Sequence, residues 1–443
     1  MKTNPEFCRN FWLELSPYRL VSLPLILAAV FYLAYVTDGY SLANGVATTA
    51  IGLFFLIALI WGTKLASESV MNEIRDHTWD GQRMSVLSPW ELTMGKLFGS
   101  TVFPWYGAVI CLFVYCLAAL ADNPGKAVKT MLALGLTGVL SHSVSLLASL
   151  MAIRKERRFN KSQTAAILLF GIMAAGPFFN LVLNSSAAVK WYGTSYPGLN
   201  FVLCSLVAYT LWAVIGVYQV MRSELQMKNR PWVWYGFVLF LMGHLAGFFH
   251  GNLQKGDSFM AEALPTALAA YFVAFGAIYA MAFFERKDIL TLRALMRLAM
   301  AGNPGRFLDC APRWLLTIPV AMIMGLLLIV TARSEVAGAT LTTTVFVVAS
   351  LCFLARDLGI MLFCNLGRNT RRADMLTIIC LALLYGVFPA ILTGIKLEYA
   401  TLLFWPRTDL LPPLGSVVAL LEMVLVAWLV RARWQQRVAE GGL

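Results

Sequence analysis

Twelve predominantly apolar runs, separated by polar segments, decide what this chain can fold into. They fall at roughly 20–36, 44–64, 97–120, 130–152, 164–184, 199–221, 232–250, 262–284, 314–332, 339–355, 375–395 and 414–430. A helix rises about 1.5 Å per residue, so about 20 apolar residues cross about 30 Å of hydrocarbon. Only 13% of the 443 residues are charged, against about a quarter in a soluble domain. A chain this poor in charge cannot present a solvated surface, and lipid is the solvent it fits. The expected fold class is all-α integral membrane, with about twelve transmembrane helices.

The loops set an orientation. With both termini in the cytoplasm, inside segments hold 28 of the 35 Lys and Arg, and outside segments hold 7, balanced by 7 acidic residues. The inside clusters are dense: RKERRFNK at 154–161, ERKD at 285–288, RNTRR at 368–372 and RARWQQR at 431–437. This is the positive-inside pattern, and it predicts a multi-pass protein of the bacterial inner membrane. The net charge of +12 then belongs to a face beside anionic lipid, so a nucleic-acid partner is excluded. The eight Cys and four His are scattered. They form no disulfide framework and no metal site. Before the first run, Asn4 is a good N-cap and Pro5 suits the first helical position. Phe7, Phe11, Trp12 and Leu15 share one face of the helix that follows, with Glu6, Arg9, Asn10 and Glu14 largely on the other. This is the pattern of an amphipathic interfacial helix.

The runs form two sets of six with matching punctuation. In each set the second run leads to a long basic inner loop (66–96; 285–313), a strongly basic inner loop follows the fourth (154–161; 356–372), and a proline-bearing aromatic loop follows the fifth. An arginine closes each set, Arg222 and Arg431, 209 residues apart; Arg154 and Arg356 are 202 apart. Six is even, so the two copies share an orientation: a parallel 6+6 repeat with domains at 1–222 and 223–443. Secondary transporters of the major-facilitator kind and fused ABC permeases share that layout.

The longest polar-rich stretch separates them: HTWDGQRMSVLSPWELTMGKLFG, His77 to Gly99. Ser88 and Glu91 are spaced as a capping box, with Pro89 at the first helical position. The stretch upstream is helix-compatible and is expected to stop at the turn pair Asp80-Gly81. The region resembles the segment between the second and third spans of type-2 ABC exporter permeases. Their pattern runs acidic, Gly-Thr, acidic, leucines, Ser/Thr-Pro, Gly-Lys. Glu73, Thr78, Asp80, Leu87, Ser88, Pro89, Gly95 and Lys96 match it. His77 stands where Gly is usual, and the gap from Thr78 to Ser88 is a few residues longer. The amphipathic amino-terminal helix and the aromatic loop before the sixth span are also similar to that family. The facilitator's Asp-Arg-x-Gly-Arg-Arg-type loop is absent after the second run.

The resemblance implies that the stretch is a coupling helix docking on a separate ATPase, present in two copies and carrying ATP and Mg. This chain has no phosphate-binding G-x-x-x-x-G-K-[ST] motif. The expectation is therefore a permease subunit with no catalytic residue, metal or cofactor of its own. It would export a substrate whose lipid-like or amphipathic character is only weakly indicated. An ion-coupled secondary transporter and a non-transporting membrane scaffold are the alternatives. The coupling residues expected are Glu73, Thr78, Asp80, Ser88, Pro89, Trp90, Glu91, Gly95 and Lys96, and Arg293 and Arg297 on the second inner loop, with the first loop dominating. Glu422, in the last run, and His142 and His244, in the fourth and seventh, are candidates for the translocation path; for Glu422 the competing reading is a protonated acid bonded to a neighbouring helix. Trp191, Tyr192, Tyr196 and Trp405 are expected either as interface anchors or as an outer gate built from two short re-entrant helices.

Overall fold

The computed structural model describes residues 4–120, 123–155, 161–184, 187–250, 259–333, 339–367, 372–406 and 412–440. The basic residues at 156–160 and 368–371 and the loop residues 121–122, 334–338 and 407–411 lie outside them. Among the described residues the chain is helical apart from one two-stranded hairpin. Eleven helices are long and apolar enough to cross a membrane. The chain is an all-α, multi-pass membrane protein. The seventh run departs from expectation. Its helix, Trp232–Ala246, has 15 residues and ends at Gly247. At 1.5 Å per residue it is about 22 Å long, short of about 30 Å of hydrocarbon.

The chain divides into two compact units, residues 1–190 with 195–229, and residues 191–194 with 230–443. The first unit contains α1 (Pro5–Glu14), α2 (Pro17–Thr37), α3 (Asn44–Arg75), α4 (Trp79–Arg83), α5 (Pro89–Met94), α6 (Val102–Ala119), α7 (Pro124–Lys155), α8 (Lys161–Leu183) and α9 (Gly198–Glu224). Helix α7 is its most buried span and packs against α3, α8 and α9. It can approach all three because its inward residues are small: Gly138, Ser141, Ser145, Ala148 and Ser149 are all buried. Small residues let helix backbones come close where no water drives association. The Ser141 and Thr63 hydroxyls meet at 2.7 Å between α7 and α3. Helix α3 runs through π-helical turns at Phe55–Gly62. Within them the Ala58 carbonyl accepts a 2.8 Å hydrogen bond from His142 Nε2, so this candidate path residue serves as an interhelical donor.

The second unit contains α10 (Trp232–Ala246), α11 (Phe259–Phe284), α12 (Ile289–Met300), α13 (Pro304–Cys310), α14 (Arg313–Ala332), α15 (Ala339–Asn365), α16 (Ala373–Gly394) and α17 (Pro412–Glu440). Helix α15 is its most buried span, against α14, α16 and α17. Arg356 was expected on a basic inner loop starting there, but α15 continues unbroken to Asn365 and places Arg356 inside a span. Its charge is met by neighbouring acids, so the helix has no reason to stop. Arg154, by contrast, sits in the last turn of α7. The 202-residue spacing of these two arginines therefore does not relate equivalent positions.

Candidate functional site

The stretch after α3 is built from local rules. Helix α3 ends in a Schellman motif: the Thr78 amide donates to the Glu73 carbonyl at 2.9 Å and the His77 amide to the Ile74 carbonyl at 3.2 Å. His77 takes φ +57°, a left-handed conformation that glycine adopts without strain. The turn thus falls at Asp76-His77, not at Asp80-Gly81, which lies inside the short helix α4. Trp79 at the start of α4 is buried, and burying it fixes where the turn must be. Helix α5 then starts with the capping box read from the sequence. The Glu91 amide donates to Ser88 Oγ at 3.2 Å, and the Ser88 amide donates to Glu91 Oε2 at 2.8 Å.

Gly95 and Lys96 follow in π-helical turns, Gly95–Gly99. A Cβ on Gly95 would lie 2.5 Å from Glu6 Cγ, so glycine here is what lets α1 settle against the segment. Lys96 is 1% exposed and Glu6 3%. Lys96 Nζ lies 2.7 Å from Glu6 Oε1 and 2.5 Å from Glu73 Oε1. Arg9 Nη2 reaches the same two carboxylates at 2.9 and 2.6 Å. Gln82 Nε2 donates to Glu73 at 2.6 Å. The pairs Glu6/Glu73 and Arg9/Lys96 cancel in charge, which is the condition for burying Glu6 and Lys96; Arg9 itself is exposed. Asn4 caps α1 through Oδ1, bonded by the Glu6 and Phe7 amides, while its Nδ2 donates to the Glu91 carbonyl at 2.7 Å. Helix α1 is therefore amphipathic as expected but turns its polar face to the protein, with Phe11, Trp12 and Leu13 exposed.

Of the motif residues, Glu73, Gly95 and Lys96 thus face inward, and Pro89 is buried. Ser88 is exposed, with its hydroxyl and amide engaged in the cap, and Glu91 is half-buried. Thr78 is exposed and its hydroxyl donates to the Glu73 carbonyl. Asp80 is exposed and pairs with Arg83 at 3.3 Å. Beside these polar residues the segment also shows apolar ones outward: Trp90 is 52% exposed, Met84 82% and Val86 103%. The Trp90 ring meets Tyr218 of α9 edge-on at 5.9 Å. Met84 and Val86 were missed by the sequence reading, which looked for polar motif residues.

The second loop differs. Asp288 caps α12 through the Thr291 amide at 2.8 Å. Leu295 is buried, while Leu290, Met296 and Met300 are exposed. Arg293 is half-buried and Arg297 exposed. The stretch Gly302 to Gly305 follows α12 and also starts α13, with Asn303 accepting from the Arg306 amide at 3.4 Å. Glu285, after α11, accepts from Arg313 Nη1 at 3.0 Å and from the Arg313 amide at 2.7 Å. Burial pushes the Glu285 carboxyl above its ordinary range, and Arg313 opposes that shift. Lys287 is buried, 3.5 Å from Asp374.

The first aromatic loop departs from the expectation of a short re-entrant helix. The first is not a helix: strands β1 (Val189–Trp191) and β2 (Thr194–Tyr196) form a hairpin through Tyr192-Gly193, both with positive φ. Its tip caps the short helix α10. Trp191 Nε1 donates to the His244 carbonyl at 3.0 Å, Tyr192 Oη to the Gly243 carbonyl at 2.8 Å and the Tyr192 amide to the Gly247 carbonyl at 2.9 Å. The His244 carbonyl lies in the last turn, where a helix leaves its acceptors unpaired, while the Gly243 carbonyl also accepts from the Gly247 amide at 3.3 Å. A Cβ on Gly247 would stand 2.3 Å from Trp191 Nε1, so glycine is what admits the hairpin. His244 stacks on Phe240 at 5.7 Å. Tyr196 is exposed, 6.1 Å from the Phe201 ring. The second loop does form a short 3-10 helix, Glu398–Leu403, after which Trp405 meets Tyr385 edge-on at 5.4 Å.

Inside the second unit lies a charged cluster. Arg356 is 2% exposed. Its Nε donates to Asp357 Oδ1 at 2.9 Å, and its Nη1 to Glu422 Oε2 at 2.6 Å and to the Leu403 carbonyl at 3.3 Å. Asp357 Oδ2 accepts from Tyr279 Oη at 2.7 Å and Tyr385 Oη at 2.6 Å. The guanidinium carbon sits 4.5 Å from the Phe353 ring centroid. Glu422 was a candidate path residue; its partner was not legible because Arg356 was counted with a loop. The adjacent Arg-Asp pair within LARDLG, in otherwise apolar sequence, was the available signal.

No family model matches this chain, and no curated protein matches it.

Proposed function

We propose that the chain is the membrane subunit of an ABC-type exporter, with two permease domains, 1–222 and 223–443, fused as a parallel 6+6 repeat. The short helix α10 takes the seventh place. The layout draws support from equivalences between the two sets. In each, the fourth span is the most buried helix, α7 and α15. In each, an acid at or just past the end of the second helix pairs with a base leading into or opening the third, Glu73 with Lys96 and Glu285 with Arg313. On this reading both termini are cytoplasmic and a separate ATPase, in two copies, binds the inner loops.

The observation that carries the proposal is the segment 76–99. A double-capped, ion-clamped element presenting Met84, Val86 and Trp90 to solvent fits a docking surface, since buried aromatics dominate interface energy. Its internal clamp makes it a lever: a push on α5 reaches α1 and α3 together. Arg293 and Arg297 contribute less, from a helix that lacks such a clamp. The test is purification of the full chain in mild detergent with assay of the accompanying ATPase. Wild type should bring one down, Trp90→Ala should lose most of it, and Arg293→Ala/Arg297→Ala should retain it. Wild-type protein free of ATPase, or loss in the arginine variant alone, would overturn the reading.

A further inference from the structure

Among the described residues, the Arg356 cluster has one guanidinium and two carboxylates, Asp357 and Glu422. Counted as ions, it carries one surplus negative charge, and all three groups lie within spans. An uncompensated charge at bilayer depth is strongly unfavourable, so one positive charge has to join the cluster.

The geometry says where. Asp357 is fully buried and accepts from three donors, Arg356 Nε and the two tyrosine hydroxyls. Those donors favour an ionised acceptor. Among the described residues Glu422 accepts from Arg356 alone, through Oε2, and its side chain is 23% exposed. Its neighbours on α17, Leu421 and Leu425, are exposed and apolar. A metal ion is poorly served: among the described residues no three His, Cys, Asp or Glu side chains are grouped to hold one.

We propose that the cluster is a proton-binding site and that Glu422 is the group that takes up and releases the proton. Uptake converts the Glu422 carboxylate to a carboxyl group. Arg356 stays a guanidinium, neutralised by Asp357, and the cluster becomes neutral. The ion pair between Arg356 and Glu422 is then lost, and a weaker hydrogen bond from the guanidinium to a neutral carboxyl group is left in its place. That pair joins α17 to α15, and the same Nη1 holds the Leu403 carbonyl at the end of the 3-10 turn. Proton uptake therefore loosens α17 and the segment before it from the core of the second unit. The titratable groups facing Glu422 are Arg356 and Asp357 from α15, with Tyr279 from α11 and Tyr385 from α16 behind Asp357. The inference stands apart from the permease reading, because a proton site serves ATP-driven and ion-coupled transport equally.

Infrared spectroscopy of the full chain in lipid nanodiscs tests it without any ATPase. Wild type at neutral pH should show a carboxylic-acid C=O band that disappears in alkali, and Glu422→Gln should lack it. Glu422→Asp keeps the acid and shifts the band, a check that holds even where the glutamine variant is unstable. A band unchanged in both variants, or no such band in wild type at neutral pH, would overturn the proposal. The permease reading would survive that result, and a missing ATPase partner would leave the proton site standing.

Discussion

The loop after α3 and the loop after α11 begin alike, with an acid paired to a base that stands before or at the start of the next long helix, and then diverge. In the first, Glu73 and Lys96 admit a third element: Glu6 and Arg9 of α1 complete a neutral four-charge cluster. In the second, Glu285 spends its remaining capacity on the Arg313 amide and so caps α14. One pair became an anchor for a distant helix and the other a local stop. What separates them is glycine. Gly95 leaves room for α1 to approach, while nothing in the second loop plays that part. The first loop is consequently rigid and shows apolar residues outward. The second is a pair of short capped helices with an arginine-bearing face.

The comparison breaks first at the buried lysine. Lys96→Met should cost about 3–5 kcal/mol, the range for removing one partner of a buried ion pair, because Glu6 and Glu73 would be left facing Arg9 alone. Arg313→Met should cost less, since its guanidinium is partly exposed. Thermal unfolding in detergent measures both, and equal losses would mean that the two pairs do the same job. Next comes Gly95→Val, which should cost about 1–3 kcal/mol through overpacking and release α1, seen as faster thiol labelling of Cys8. Gly305→Val should be near neutral, as nothing lies within 4 Å of a Cβ there. The smallest effect belongs to the turn. His77→Gly removes a left-handed strain of about 1–2 kcal/mol at the cost of extra unfolded-state freedom of about 0.5–1 kcal/mol. Unfolding should therefore shift slightly upward. Gly302→His, at φ +62° in the second loop, should shift it downward.

Local chemistry was legible because its partners lie within a few residues. Asn4 as a cap and Ser88 with Glu91 as a capping box follow from spacing alone. The apolar runs likewise specified the long helices, since length and composition suffice for a span. The seventh was misjudged because apolarity continues beyond Gly247 although the helix does not. The re-entrant-helix reading of the first aromatic loop failed because Tyr192-Gly193 allows a hairpin, and only the carbonyl end of α10 gives the hairpin something to cap.

What the sequence determined by itself is the class of molecule: a chain with this many apolar runs and so few charges must fold in lipid, as helices. What it left undecided is which charges face water and which are held inside. Lys96 and Glu6 are 90 residues apart in sequence, and Arg356 and Glu422 are 66 apart. A lone basic residue beside an apolar run reads as a loop flank, and only the tertiary fold supplies the acids that let it be buried. The physical reason is that burying a charge costs several kcal/mol until its partner arrives, and partners this distant are brought together by helix packing rather than by local rules.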